Sequence, residues 1–143
     1  MKILILLLLT ACSYGQTWTT DFDQAKKDAA NENKNILLVF SGSDWCAPCI
    51  KLEQTIWNSE AFKTDAQKSW ILVKADFPKK KTHRLSDALQ KQNDGLAASY
   101  NNDGNFPLVV LLDKFGKVLG KTGYKNIQPE AYLSFLHAME TKI

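Results

Sequence analysis

The sequence predicts an α/β protein, a three-layer α/β/α sandwich with helices on both faces of a mixed central sheet. Three observations carry this. Residues 36–40 are a continuous apolar run of strand length, and 70–75, apolar but for Lys74, and 107–112 repeat the pattern of strands covered on both faces. Segments of helical periodicity separate these runs, and crossover helices favour parallel pairing. After the third run, the turn Asp113-Lys114-Phe115-Gly116-Lys117 returns the chain as a short antiparallel strand over 118–122.

Each element has its own signal. Trp18-Thr19-Thr20 reads as a short first strand. Thr20 or Asp21 then caps a helix over 21–33, with Phe22, Ala25 and Ala29 on one face, until Asn33-Lys34-Asn35 breaks it. The run 36–40 is a buried strand, and Ser41-Gly42-Ser43-Asp44 is a loop. A helix starts around Cys46 and runs to about Trp57, with Leu52 and Ile56 beside Cys49. Asn58-Ser59-Glu60 allows a kink or restart before a continuation to about Lys68. Residues 70–75 form the second buried strand, ended by Asp76-Phe77-Pro78. Lys79-Lys80-Lys81 follows as a solvated basic loop, which with Arg84 is also a candidate docking point for an acidic partner. Leu85, Leu89, Leu96 and Tyr100 predict one long helix over 83–100, with Gly95 as a weak point. Asn101 to Asn105 is a turn cluster. Pro129 suits the first turn of a last helix, and Tyr132, Phe135, Leu136 and Met139 give it a core-facing stripe.

The 143 residues suffice for one domain with a real core and no need of staples. A net charge of +3 is too mild to argue for nucleic acid or membrane binding. The N-terminus reads as a leader rather than fold. Lys2 precedes an apolar run from Ile3 to Leu9, far short of the roughly 20 residues a spanning helix needs, so residues 1–15 are expected to be a signal peptide. Its exit has two readings. Leu9-Thr10-Ala11-Cys12 resembles a lipobox, which would lipidate Cys12; Ser13-Tyr14-Gly15 resembles an ordinary cleavage site, which would discard it. Either way residues 16–143 form the domain, exported to the bacterial periplasm or cell envelope, with membrane attachment only through such a lipid.

That leaves Cys46 and Cys49, in the stretch Ser43-Asp44-Trp45-Cys46-Ala47-Pro48-Cys49. A bridge across two residues constrains the unfolded chain very little, which weakens a structural role. Zinc wants four ligands, and His83 and His137 lie at unrelated positions. Haem attachment needs His directly after the second Cys, where Ile50 stands. A redox role fits the placement after a strand and at a helix start. There, unpaired N–H groups and a partial positive charge favour thiolate over thiol. Cys46 is the expected nucleophile, with Cys49 one turn in and less exposed, placed to resolve a mixed disulfide. Pro48 lacks an N–H and suits the first turn.

Over residues 18–142 the chain resembles the thioredoxin superfamily. The resemblance rests on Trp45-Cys46-Ala47-Pro48-Cys49 after an apolar strand, on Phe106-Pro107 heading the third run, and on the hairpin 111–119. It implies the thioredoxin fold, a cis Pro107 facing the cysteines, and a substrate strand held by the Phe106 and Pro107 backbone. It implies a thiol–disulfide oxidoreductase with Cys46 and Cys49 as its catalytic pair, no metal and no organic cofactor. The expected partners are a protein or peptide disulfide substrate and a membrane-embedded electron donor, and a monomer is expected. Phe40 stands where cytoplasmic thioredoxins carry a buried Asp. Glu53, four residues after Cys49, matches the C-terminal domain of the bacterial transmembrane thiol–disulfide transporter, which makes it a candidate proton acceptor for Cys49 or else a surface carboxylate paired with a lysine. Lys74 matches a lysine near the thioredoxin active site. Trp45 is expected beside the sulfurs, and Asp44 as a helix cap or a modifier of potential. Ala-Pro between the cysteines points to reduction of substrates. Disulfide isomerisation, cytochrome c maturation and a redox-inert binding module are the competing functions.

Overall fold

A computed structural model describes residues 17–141. The expected leader, residues 1–15, and Cys12 with its two readings lie outside the described residues. The elements are β1 (Trp18–Thr19), α1 (Phe22–Glu32), β2 (Asn35–Ser41), α2 (Ala47–Leu52), a π-helical turn (Glu53–Trp57), α3 (Glu60–Ser69), β3 (Trp70–Asp76), α4 (Asp87–Tyr100), β4 (Leu108–Leu112), β5 (Val118–Thr122) and α5 (Pro129–Glu140). One five-stranded sheet runs in the order β1-β3-β2-β4-β5. Its β1, β3 and β2 are parallel; β4 runs antiparallel to both β2 and β5.

Alternation along β2 builds two cores, because successive side chains of a strand point to opposite faces. Leu37 and Val39 join the core under α3 and α5, with Trp57, Phe62, Tyr132 and Leu136. Ile36, Leu38 and Phe40 join the core under α1 and α4, with Phe22, Ala25, Ala29 and Leu96. The three-layer sandwich with a mixed sheet is thus the observed architecture. Capping follows local chemistry. Asp21 accepts the Gln24 N–H at the start of α1, Asn33 ends it in the left-handed conformation, and Ser59 accepts the Phe62 N–H at the start of α3.

Four expectations are corrected. The helix over 46–57 is not uniform: after Leu52 it widens into the π turn, which lets Ile56 and Trp57 both be buried. The helix expected over 83–100 starts at Asp87, capped by Ser86 through the Leu89 N–H. Before it, Lys81–His83 form a single 3-10 turn. Pro107 precedes the strand rather than heading it, since it has no N–H to give the ladder. In α5 the stripe takes Leu133, while Phe135 stays 38% exposed under the Lys125 ammonium.

Candidate active site

β2 ends at Ser41, and its register partner on the neighbouring parallel strand is Asp76. Loops leaving adjacent parallel strands at the same end converge there, and this is where the cysteines lie. The loop 42–45 folds back on itself, with the Trp45 and Cys46 N–H groups both donating to Gly42 O. A Cβ at position 42 would run into the Trp45 indole, so glycine is what lets the ring lie flat against the loop. Cys46 is the N-cap residue of α2, its Sγ accepting the Cys49 N–H at 3.3 Å, and Pro48 sits in the first turn. Cys46 and Cys49 are joined in a disulfide with 5.2 Å between their Cα atoms. Both are 4% exposed, so in this oxidised state the expected difference in exposure between them is absent.

One flank of the disulfide is aromatic. The Trp45 ring meets the Phe106 ring edge-on at 5.4 Å, and Phe106 meets Phe77 at the same distance. The Trp45 Nε1–H donates to Phe77 O at 2.7 Å. The Phe106–Pro107 bond is cis, as the resemblance implied. It is delivered by the 101–105 turn, which buried Asn101 closes by bonding Asn105 through both its amide N–H and its carbonyl. Trp45 itself is 38% exposed, an outward-facing ring against the loop rather than a buried shield.

The other flank is polar. Ser41, Ser43, Cys49, Glu53 and Lys74 line one open pocket. Glu53 lies one turn beyond Cys49, its N–H donating to Cys49 O. Its carboxylate accepts from the Lys74 ammonium at 2.7 Å, and that ammonium also lies 4.7 Å over the Trp18 ring. The lysine pairing weighed for Glu53 is therefore present, and the pair opens onto the same pocket as Cys49. Phe40 is fully buried and stacks on Phe77, so the inner face behind the cysteines carries no carboxylate at that position.

Sequence reasoning misplaced Asp44. It caps no helix; it accepts the Lys79 and Lys80 N–H groups at 2.9 and 3.0 Å and meets His83 Nδ1 at 3.0 Å. The Lys79 bond first, with those of Lys80 and His83, holds its carboxyl down to about 2 against the opposing effect of burial. His83 is accordingly not remote from the site. Ser43 and Asp76 were missed as well: the Ser43 N–H and hydroxyl both donate to the Asp76 carboxylate. Their signal was positional, two polar residues at the ends of adjacent apolar runs.

Comparison with known proteins agrees with this geometry. The family model described as thioredoxin-like matches residues 17–114. The disulfide bond reductase DsbH of Chlamydia pneumoniae is 37% identical over 113 residues, 79% of this chain and 66% of that protein, so the match spans just under two thirds of its length. A solved structure of a DsbH oxidoreductase superposes with a TM-score of 0.83 at 27% identity, covering 100% of this chain and 96% of that one. The oxidised C-terminal domain of DsbD from Neisseria meningitidis shares the fold, with a TM-score of 0.53 at 14% identity over 82% of this chain and 90% of that one. With a thioredoxin fold and a cysteine pair of the thiol–disulfide oxidoreductase type, the chain belongs to the thioredoxin-like family and is a homologue of DsbH.

Proposed function

We propose that this protein is an exported thiol–disulfide oxidoreductase that reduces disulfides of protein substrates. The observation that carries the reading is the Cys46–Cys49 disulfide at the head of α2, with Cys46 Sγ already accepting a helix N–H. In the reduced protein that N–H and the helix end stabilise negative charge on Cys46, which makes it the attacking thiolate. Its sulfur displaces one substrate sulfur and forms a mixed disulfide. The Cys49 thiolate then attacks Cys46 Sγ, releases the second substrate sulfur and closes the Cys46–Cys49 bond. Two electrons pass to the substrate, and its two sulfurs leave as thiolates that take protons.

The flanks take complementary roles in this reading. The Phe106 and Pro107 backbone, with Trp45 alongside, holds the substrate segment. Glu53, held by Lys74, accepts the Cys49 proton, and the pocket shared by the three supports that role. The name of the relative, a disulfide bond reductase, supports the direction. Export rests on the apolar run behind Lys2, with residues 1–15 as leader and Cys12 either lipidated or lost. Among the described residues no helix is long and apolar enough to cross a membrane. Electrons must come from another protein, and a membrane-embedded donor fits an exported reductase.

The equilibrium reduction potential of the pair tests the reading. A value near about −270 mV or below is expected for a reductant. A value of about −120 to −180 mV would reverse the direction and make the protein an oxidant or isomerase. A pair that cannot be reduced in the native protein would favour a redox-inert binding module.

A further inference from the structure

The segment between β3 and α4 carries Lys79, Lys80, Lys81, His83 and Arg84, all exposed. Left to itself such a run would be a solvated loop. Here it is tied down. Asp44 holds the backbone of Lys79 and Lys80 and the ring of His83. Its side chain is only 3% exposed, so the carboxylate is spent inward on this segment. The Lys79 ammonium lies 3.9 Å from the centre of the Trp45 ring, which orients it towards the cysteine loop. The Phe77 backbone is bonded at both ends of the same stretch, its N–H to Ser41 O and its carbonyl to the Trp45 indole. Asp44 precedes Cys46 by two residues, at most about 7 Å along the chain. The basic segment is therefore fixed beside the reactive sulfurs rather than free in solution.

Its charge is also uncompensated. The one carboxylate within its reach at the site, Asp44, faces the backbone and His83. Arg84 has Asp87 at 3.6 Å, on its far side at the start of α4. Among the described residues, Lys79, Lys80 and Lys81 have no carboxylate within ion-pair distance. The aromatic flank next to this rim is where the substrate chain lies in the function proposed above.

We propose that Asp44 anchors a basic rim, Lys79–Lys81, which selects substrates whose reactive cysteine is flanked by acidic residues. The inference rests on the reductase reading and narrows its substrate class to acidic disulfide segments. Two or three positive charges on an anchored segment beside the aromatic flank raise the encounter rate with an acidic chain and lower it for a basic one. Salt screens this, because the groups face solvent.

The test uses the pre-reduced full chain and two disulfide-linked peptides that differ only in the residues beside each cysteine, Glu in one and Lys in the other. The second-order rate of reduction is measured at low and high salt. We expect the Glu peptide to react about ten-fold faster at low ionic strength, with the ratio falling towards one in about 1 M salt. Lys80→Glu with Lys81→Glu should invert the ratio. These two side chains are exposed and unpaired, so the double variant does not threaten the fold. Asp44→Asn should shrink the ratio without inverting it, since it loosens the rim without changing the lysines. Equal rates for both peptides at low salt would overturn the inference and leave the reductase reading standing. Failure to reduce either peptide would sink both.

Discussion

The two flanks of the Cys46–Cys49 bond are built from different materials. On one side Trp45, Phe77 and Phe106 meet ring to ring, with the cis Phe106–Pro107 bond beneath them and a lysine over the indole. On the other, Ser41, Glu53 and Lys74 border Cys49 in a polar pocket. The two cysteines between them are 4% exposed. In the function proposed above, the contrast amounts to a division of labour. An apolar, partly exposed flank suits contact with another chain, because rings supply area at little entropic penalty. A polar flank holding a fixed ion pair suits movement of a proton. Variants on the two flanks should therefore fail in different ways, and any variant that fails in the other flank's way breaks the comparison.

The largest effect is expected at the sulfurs themselves. Cys49→Ser should abolish multiple turnover while still allowing Cys46 to attack, so a mixed disulfide with substrate accumulates. Non-reducing electrophoresis reads this directly, and an absence of trapped species would reverse the roles of the two cysteines. Glu53→Gln comes next. General acid–base groups contribute about 10²–10⁴-fold, and a carboxylate this open should sit at or below the low end. The resolution step should slow by roughly ten-fold or more, and its pH profile should change. Stability should barely move, because exposed ion pairs are worth about 0–1 kcal/mol and the Glu53 side chain is 40% exposed. A stability loss with an unchanged pH profile would make the Glu53–Lys74 pair structural.

Across the bond, Trp45→Ala should behave otherwise. It removes the Trp45–Phe106 ring contact and the perch of Lys79. Aromatic pairs are worth about 0.5–1.5 kcal/mol, so kcat/KM for a protein substrate should fall by about two- to twelve-fold. The loss should appear mainly in KM, with the pH profile of resolution unchanged. Gly42→Ala should give a milder version of the same defect, because the added methyl would displace the indole without deleting it. If either variant altered the pH profile, the aromatic flank would be involved in proton handling after all.

What the sequence revealed about these flanks follows from how far each feature's cause lies along the chain. Strands β2, β3 and β4 were legible because burial on both faces leaves mainly apolar runs at 36–40, 70–75 and 107–112, broken only at Lys74. The cysteine pair and Pro107 were legible because their pattern is local or carried by resemblance. Asp44 was not: its partners lie 35 to 39 residues on, and nothing beside it distinguishes a helix cap from an anchor. The late start of α4 was hidden because Leu85 satisfies the helical spacing although the chain is extended around Ser86. Phe135 was misassigned for a related reason. Periodicity marks a face, but how far that face extends into the core is set by tertiary packing, which here buries Leu133 and leaves Phe135 exposed.

A control far from both flanks sharpens the comparison, and the other histidine provides it. His137 on α5 meets Asp65 of α3 at 2.8 Å and Glu140 at 3.2 Å; Glu140 also accepts from the Trp70 indole and from Asn35. Burial pulls the imidazolium down, but hydrogen bonds and charge from Asp65 and Glu140 outweigh it and hold the His137 pKa above its ordinary value. A raised folded pKa gives stability that is fully present below the unfolded value of about 6.5 and lost as pH rises through the folded one. Asp65 works in the opposite direction. Burial raises it, yet its bonds from Ser69 and His137 leave it lowered, so its share is present above about 3.9 and lost as pH falls through the depressed folded value. His137→Asn should therefore destabilise the protein between those limits by no more than about 1 kcal/mol, since the imidazole is 39% exposed. Denaturation curves of the two proteins should converge as pH rises past the folded His137 value. The reduction potential and the charge preference for substrates should not change. If they did, the link between α3 and α5 would reach the active site through the core, and the two flanks would not be separable from the scaffold that carries them.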